Sequence, residues 1–249
     1  MSRMKRARQR WLTNPSRIRI RKLNRQFGRD VTPEMFVLDA GAGRAPYRAF
    51  FEHANYETCD FAKLSTNYAP LTYVCDLTEI PVEDARFERV VFNQVFEHVP
   101  DPPAVLAELA RVMTDDGRII CTTPFFYQPH QQPYDFYRYT RHGLRHLFTG
   151  AGFEVEKLAP VEGYFATVGL QFHQMYDYLP RRVRGHGLGW LWFLVAPTIH
   201  LLRLAAFLLA GAFYRLDLRW KYVAKGYPKN YVVIARRRTR EELAATALG

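Results

Sequence analysis

Cysteine is scarce in this chain, with three among 249 residues. Cys59, Cys75 and Cys121 lie far apart, without C-x-x-C spacing or a neighbouring histidine. An odd count set in apolar runs reads as reduced, buried thiols of a cytoplasmic protein, not as a disulfide framework. No apolar h-region follows the basic first residues, so no signal peptide is expected. Internal repeats and low-complexity tracts are missing as well. A dinucleotide-binding fingerprint lacks its third small residue: counted from Gly41, the sixth position is Pro46. That disfavours NAD.

Acidic residues are nearly absent from both ends. Residues 1–30 hold 11 Lys/Arg against Asp30 alone, a net +10, and residues 181–249 also carry +10, while residues 31–180 carry −9. An acidic body with two basic ends points to an anionic surface as partner, either phospholipid headgroups or nucleic acid. The length suits one large domain with an insertion, and 48% apolar residues supply a sizeable core.

Strand-like runs alternate with helical ones. "MFVLDAGAGRAPY" (35–47) reads as a buried strand feeding a Gly-rich turn, "YETCDFA" (56–62) as a second strand, and "LTYVCDL" (71–77) as a third. "FERVVFN" begins the fourth strand at 87, "GRIICTTPF" (117–125) is the fifth, "EVEKLAPV" (154–161) the sixth, and "NYVVIARR" (230–237) the last. "PPAVLAELARVM" (102–113), with Asp101 as its cap and Pro102 in its first turn, is an amphipathic helix, and "TRHGLRHLFTGAGF" (140–153) is another helix. This alternation predicts a parallel α/β sheet with its site at the C-terminal ends of the strands.

In D-x-G-x-G, Asp39 closes the first strand, and Gly41 and Gly43 remove side chains where a ligand must approach the backbone. Asp60 follows Gly41 by 19 residues, the distance at which a carboxylate ending the second strand accepts ribose hydroxyls.

With "VLDAGAG", Asp60, Asp76 and "EHV" after strand four in place, the chain resembles the class I S-adenosylmethionine-dependent methyltransferases. The likeness covers roughly residues 34–165 and resumes at 230–237. It implies a Rossmann-like sheet and S-adenosylmethionine as cofactor. Asp39, Gly41 and Gly43 would line its methionine end, Asp60 the ribose, Asp76 and Leu77 the adenine, and Asn93 the sulfonium.

"PFFYQPHQQPYDFYRYT" (124–140), after the fifth strand, is rich in aromatic rings and proline, a composition suited to sugar rings or planar groups. It is similar to the H-x-x-P-x-D-[YF]-[YW]-R-[YF]-T stretch of methyltransferases associated with cell-surface polysaccharide and glycolipid synthesis. Tyr134, Asp135, Tyr137 and Arg138 are the candidate acceptor-binding residues, with Asp135 and Arg138 also read as an ion pair shaping the loop. An alcohol acceptor must lose a proton, for which His130 is the first candidate base and His98 the second. "NQVFEHV" (93–99) is similar to the stretch with which the ubiquinone-pathway O-methyltransferases supply Glu, Glu and His to magnesium. Here Gln94 replaces the first acid beside Glu97 and His98, so no metal is expected.

"LGWLWFLVAPTIHLLRLAAFLLAGAFY" (188–214) is long enough to span a bilayer. It lies in an insertion between adjacent strands six and seven, so one crossing would separate partner strands. Two crossings need about 40 apolar residues, and 27 are present. The segment is therefore expected to lie at the interface as a monotopic helix or shallow hairpin, with Pro197 as a bend. His200 and Arg203 would reach out to water or phosphate, and Arg181, Arg182, Arg184, Arg215, Arg219, Lys221 and Lys225 would face anionic lipid. Burial against protein is the competing reading.

The expected organisation is a basic arm (1–30), a methyltransferase domain (31–165 with 226–238) and a largely helical apolar insertion (166–225). The expected function is O-methylation of a lipid-linked sugar or glycolipid, by a peripheral protein on the cytoplasmic membrane face. An RNA methyltransferase using the basic arm is the rival, weakened by the apolar insertion and the lack of an RNA-binding module. A non-catalytic membrane scaffold is the third reading. Oligomeric state is left open.

Overall fold

The computed structural model describes residues 11–64, 67–180 and 192–247. Among these, seven strands form one sheet in the order β3-β2-β1-β4-β5-β7-β6. They are β1 (Phe36–Ala40), β2 (Asn55–Asp60), β3 (Tyr73–Val74), β4 (Phe87–Asn93), β5 (Met113–Pro124), β6 (Phe153–Pro160) and β7 (Asn230–Arg237). The helices are α1 (Pro15–Phe27), α2 (Pro102–Val112), α3 (Arg141–Gly150), α4 (Tyr164–Tyr178), α5 (Trp192–Arg219) and α6 (Arg240–Ala247).

The strands from β3 to β5 pair in parallel, whereas β7 runs antiparallel to both β5 and β6. The sheet is thus mixed, which corrects the all-parallel expectation. The Val161 N–H donates to Asn230 O at 2.9 Å. The chain therefore leaves β6 and enters β7 at one end of the sheet, and adjacent strands joined at one end run in opposite directions. β3 is shorter than the run 71–77 suggests, because Asp76 turns its carboxylate to the Thr78 N–H at 3.0 Å and starts a turn.

Period-two alternation sorts the strands between two apolar layers. Leu38, Val90, Phe92, Ile119, Cys121 and Val233 pack on one side with Leu106 and Leu109 of α2 and Leu144 and Phe148 of α3. Val37, Val91, Ile120 and Val232 pack on the other with Ile20 and Phe27 of α1. Asp101 caps α2 by accepting the Ala104 N–H, and Thr140 caps α3 by accepting the Gly143 N–H. Within the basic N-terminal stretch, residues 15–27 form a helix whose Ile20, Asn24 and Phe27 are buried.

The chain divides into two compact units. One comprises Ile20–Val161 with Asn230–Gly249, the sheet and its helices; the other comprises Met1–Arg19 with Glu162–Lys229. The second is built on an α4–α5 hairpin. The fully buried Asp217 of α5 accepts the Gly163 N–H at 2.9 Å and the Ala166 N–H at 3.3 Å, completing the first turn of α4. Arg19 neutralises it at 3.1 Å.

α5 continues as a helix through Pro197. Arg203 does not reach solvent. It is buried, donates to the Leu179 carbonyl at the C-terminus of α4, and stacks over Tyr176 at 4.7 Å. The open carbonyls of a helix end attract a cation more closely than bulk water does here. Arg215 is also turned inward, over the Trp11 ring at 3.8 Å. His200, Arg219, Lys221 and Lys225 are exposed. Arg181, Arg182, Arg184, residues 188–191 of the apolar run and the first ten residues lie outside the described residues.

Candidate active site

Chain order reverses direction across the sheet between β1 and β4, which opens a crevice at the C-terminal ends of the strands. Asp39 of β1, Asp60 ending β2 and Asn93 ending β4 all stand at this end. Asp39 is 4% exposed and accepts the Tyr56 hydroxyl. Burial pushes its carboxyl up to about 7, against the pull of the Tyr56 hydrogen bond. A cationic ligand group beside it would reverse that shift.

The loop after β1 takes left-handed backbone angles at Gly41 (φ 70°) and Gly43 (φ 51°). A Cβ on Gly41 would meet Val95 Cγ1 and Cγ2 at 2.5 Å, whereas one on Gly43 would meet nothing within 4 Å. Gly41 thus serves close packing, and Gly43 borders open space. The Gly43 N–H donates to Asp60 Oδ2 at 2.9 Å and the Ala62 N–H to Asp60 Oδ1 at 3.2 Å. Each carboxylate oxygen keeps a lone pair for a diol.

Asn93 is held on both sides: it donates to Asn24 Oδ1 at 2.9 Å and accepts from Thr122 Oγ1 at 2.8 Å. Asp76 is exposed and caps its turn through the Thr78 N–H and hydroxyl, while Leu77 lies in the core layer beside Ile80.

The loop 124–140 folds back over the end of β4. The Phe136 and Tyr137 N–H groups donate to Glu97 O at 3.0 and 3.2 Å. The Tyr134 ring meets Phe61, next to Asp60, edge-on at 5.2 Å. Arg138 grips Asp135 in a bidentate pair at 2.7 and 3.0 Å, and holds the Asp135 carboxyl down at about 2. Asp135 Oδ2 also accepts the His130 N–H at 2.8 Å, and Arg138 donates to the Tyr127 and Gln128 carbonyls. The pair thereby fixes the loop that carries His130. The Tyr137 hydroxyl donates to Pro100 O at 3.1 Å.

His98 and His130 meet at a ring separation of 4.7 Å. Their Nε2 atoms lie 3.7 and 4.0 Å from Oε1 of Glu97. Glu97 is fully buried, and burial raises its carboxyl to about 8. Burial also lowers both histidines from their ordinary value. The fold thus brings both candidate bases to one point, with the buried Glu97 carboxyl facing both.

A family profile described as "Methyltransferase domain" matches residues 6–158, more than half of the chain. The chain belongs to the class I S-adenosylmethionine-dependent methyltransferase family. This methyltransferase is 43% identical over 53 residues to a ubiquinone/menaquinone biosynthesis C-methyltransferase of Desulfotalea psychrophila, a match covering 20% of this chain and 22% of the relative. It is 37% identical over 57 residues to a malonyl-(acyl-carrier protein) O-methyltransferase of Hahella chejuensis, covering 23% and 20%. The matches therefore span about a fifth of each curated relative.

Among solved structures, the methyltransferase superimposes on the cyclase SpnF with a TM-score of 0.55 at 14% identity, covering 89% of this chain and 81% of that one. For the geranyl diphosphate C-methyltransferase of Streptomyces coelicolor, solved with Mg2+, geranyl diphosphate and S-adenosyl-L-homocysteine, the TM-score is 0.52 at 13% identity, covering 88% and 79%. Such likenesses establish the fold, which hosts cyclisation and methylation alike. S-adenosylmethionine is the cofactor consistent with family and fold.

Sequence reasoning passed over Tyr56, Asn24 and Thr123. Tyr56 reaches Asp39 from the neighbouring strand, and Asn24 reaches Asn93 from 69 residues away. Thr123 Oγ1 donates to Glu97 Oε2 at 3.2 Å. Each is set by strand register or helix docking, and no local pattern announces it.

Proposed function

We propose that this methyltransferase moves the methyl group of S-adenosylmethionine to a hydroxyl oxygen of a lipid-linked sugar or related glycolipid, working from the cytoplasmic membrane face. Asp39 faces the ammonium of the methionine portion, Gly41 lets the loop pack closely on Val95, Gly43 gives room for the ligand along the backbone, and Asp60 takes the ribose diol. Asp76 and Leu77 border the adenine, and Asn93 the sulfonium. Tyr134, Asp135, Tyr137 and Arg138 shape the acceptor side. His130 and His98 serve the loss of the acceptor's proton. Methyl transfer is an in-line displacement, so most of the rate enhancement comes from holding acceptor oxygen and methyl carbon in line.

The observation that carries the membrane reading is the uncovered apolar surface of α5. Phe193–Arg219 has a mean hydropathy of 1.9 in its most apolar window, of which 17% is buried. Phe193, Leu194, Leu201, Leu204 and Leu208 are exposed on it, and Trp220 and Val223 follow in the same state. Burying one such side chain stabilises by about 1.5–3 kcal/mol, so a surface of this extent favours lipid over water. Exposed Arg219, Lys221 and Lys225 at its C-terminal end supply the cationic border suited to anionic headgroups.

The test is mass spectrometry of membrane lipid extracts incubated with S-adenosylmethionine and either the wild type or Asp60→Ala. A glycolipid heavier by one CH2 unit in the wild-type sample alone is expected. Extracts identical in both arms, with methylation of added RNA instead, would overturn the assignment.

A further inference from the structure

The geometry points to a divalent-cation site at Glu97, His98 and His130, which we infer takes a cation of the zinc class and leaves one position open. One donor atom from each of the three residues lies within 4.8 Å of the others. Glu97 Oε1 and His98 Nε2 are buried and have no hydrogen-bond partner among the described residues. Two orphaned buried polar atoms facing one gap constitute a desolvation cost that a bound ligand removes.

The orientation of each donor is fixed from behind. His98 Nδ1 donates to the Tyr134 carbonyl, and His130 Nδ1 donates to the Gln128 carbonyl at 3.2 Å. Both hydrogen bonds require the proton on Nδ1, so both Nε2 lone pairs point toward the gap. Thr123 Oγ1 holds the other oxygen of Glu97 at 3.2 Å, which leaves Oε1 toward the gap. Backing of every ligand by an outer hydrogen bond is the arrangement that metal-binding histidines and carboxylates use.

Distances and donor types select the ion. Tetrahedral donors at about 2.0–2.1 Å from zinc lie about 3.3–3.4 Å apart, and here two of the separations are 3.7 and 4.0 Å. Contraction of a set that already lies within 4.8 Å brings the donors to coordinating distance. Two imidazoles with one carboxylate suit Zn2+, Fe2+ or Mn2+ better than Mg2+, which prefers oxygen ligands and retained water. Gln94 takes no part, since its side chain turns to Thr122 Oγ1 at 3.3 Å. His130, contributed by the loop 32 residues after His98, supplies the third donor.

The catalytic consequence rests on the methyl-transfer reading; the binding of the cation does not. An acceptor hydroxyl entering the open position has its pKa lowered and passes its proton to water. Its oxygen then forms the new bond to the methyl carbon as the carbon–sulfur bond breaks, leaving S-adenosylhomocysteine. In that state the two histidines act as ligands, and the cation, by acidifying the bound hydroxyl, would remove the need for a protein base.

The experiment uses the full chain stripped with a chelator, titrated with Co2+ by visible absorption and with Zn2+ by calorimetry. One equivalent should bind, with the intense ligand-field bands of a four- or five-coordinate ion that Zn2+ then displaces. Glu97→Gln, which keeps shape but removes the carboxylate charge, and His130→Ala, at a part-exposed loop position, should each weaken binding by more than the about 10–100-fold that loss of an outer partner costs. Absence of saturable binding, or binding that both variants leave unchanged, would overturn the site. Calorimetry with S-adenosylmethionine on the same samples separates the two readings. Cofactor binding without cation binding defeats this inference alone, and cation binding without cofactor binding defeats the methyl-transfer reading alone.

Discussion

The Asp60 carboxylate accepts the Gly43 N–H at 2.9 Å, tying the loop after β1 to the end of β2. One side chain therefore shapes the glycine loop, and in the proposed function the same carboxylate takes the ribose. Asp60→Ala removes hydrogen bonds to a charged group worth about 1.5–3 kcal/mol, so affinity for S-adenosylmethionine should fall about 10–100-fold. Calorimetry checks this. An unchanged dissociation constant removes Asp60 from the cofactor site.

Asp39 predicts the pH dependence of the ligand-free protein. Its folded pKa, about 7, lies above its ordinary value of 3.8, so between these values the folded state binds more protons than the unfolded state. The associated stability is fully present below pH 3.8 and is lost as pH rises through about 7. Asp39→Asn should flatten this fall and raise the melting temperature most above neutral pH, while weakening cofactor binding. Urea unfolding across the pH range measures it; parallel profiles for both proteins would refute the assignment.

The loop 124–140 depends on the Asp135–Arg138 pair. Asp135→Asn keeps shape but loses the charge that Arg138 grips and weakens the hold on the His130 N–H. Transfer of labelled methyl to a lipid extract should drop at least about tenfold, as expected when positioning is disturbed by fractions of an ångström. Affinity for S-adenosylmethionine should stay within about twofold, since the carboxylate lies outside the cofactor cradle. Equal losses in both quantities would place Asp135 on the cofactor side.

His130→Ala should lower turnover far more than cofactor affinity, and His98→Ala should do the same, because their Nε2 atoms face one carboxyl oxygen. If only one of the two matters, the other is structural. Single-turnover rates with labelled cofactor decide.

For α5, Leu201→Asp with Leu208→Asp alters two exposed positions, 67% and 49% accessible, and so should leave the fold intact. Two lost burials of about 1.5–3 kcal/mol each reduce partitioning to anionic vesicles at least about a hundredfold. High salt should release the charge-dependent part alone, because exposed charges are screened over about 8 Å at physiological ionic strength. A wild type that ignores vesicles, or a double variant that unfolds, would make the surface a protein contact.

The sequence alone determined what local chemistry can write. Apolar runs of strand length, the D-x-G-x-G turn that follows the first of them and the cap Asp101 are local signals, so strands, helices and the glycine turn were legible. Direction was not. β7 reads as a strand either way, and only the closeness of Val161 to Asn230 makes it antiparallel. Arg203 shows the same limit: its spacing from His200 suggested solvent, but α4 packs on that face and presents an open carbonyl. The cluster at Glu97 needed tertiary structure most. His98 and Glu97 are neighbours in sequence, yet His130 reaches them because the Asp135–Arg138 pair folds its loop, and burial then raises the Glu97 carboxyl to about 8. Sequence fixes which groups are present, whereas distance and desolvation, which decide what those groups do, exist only after the chain has folded.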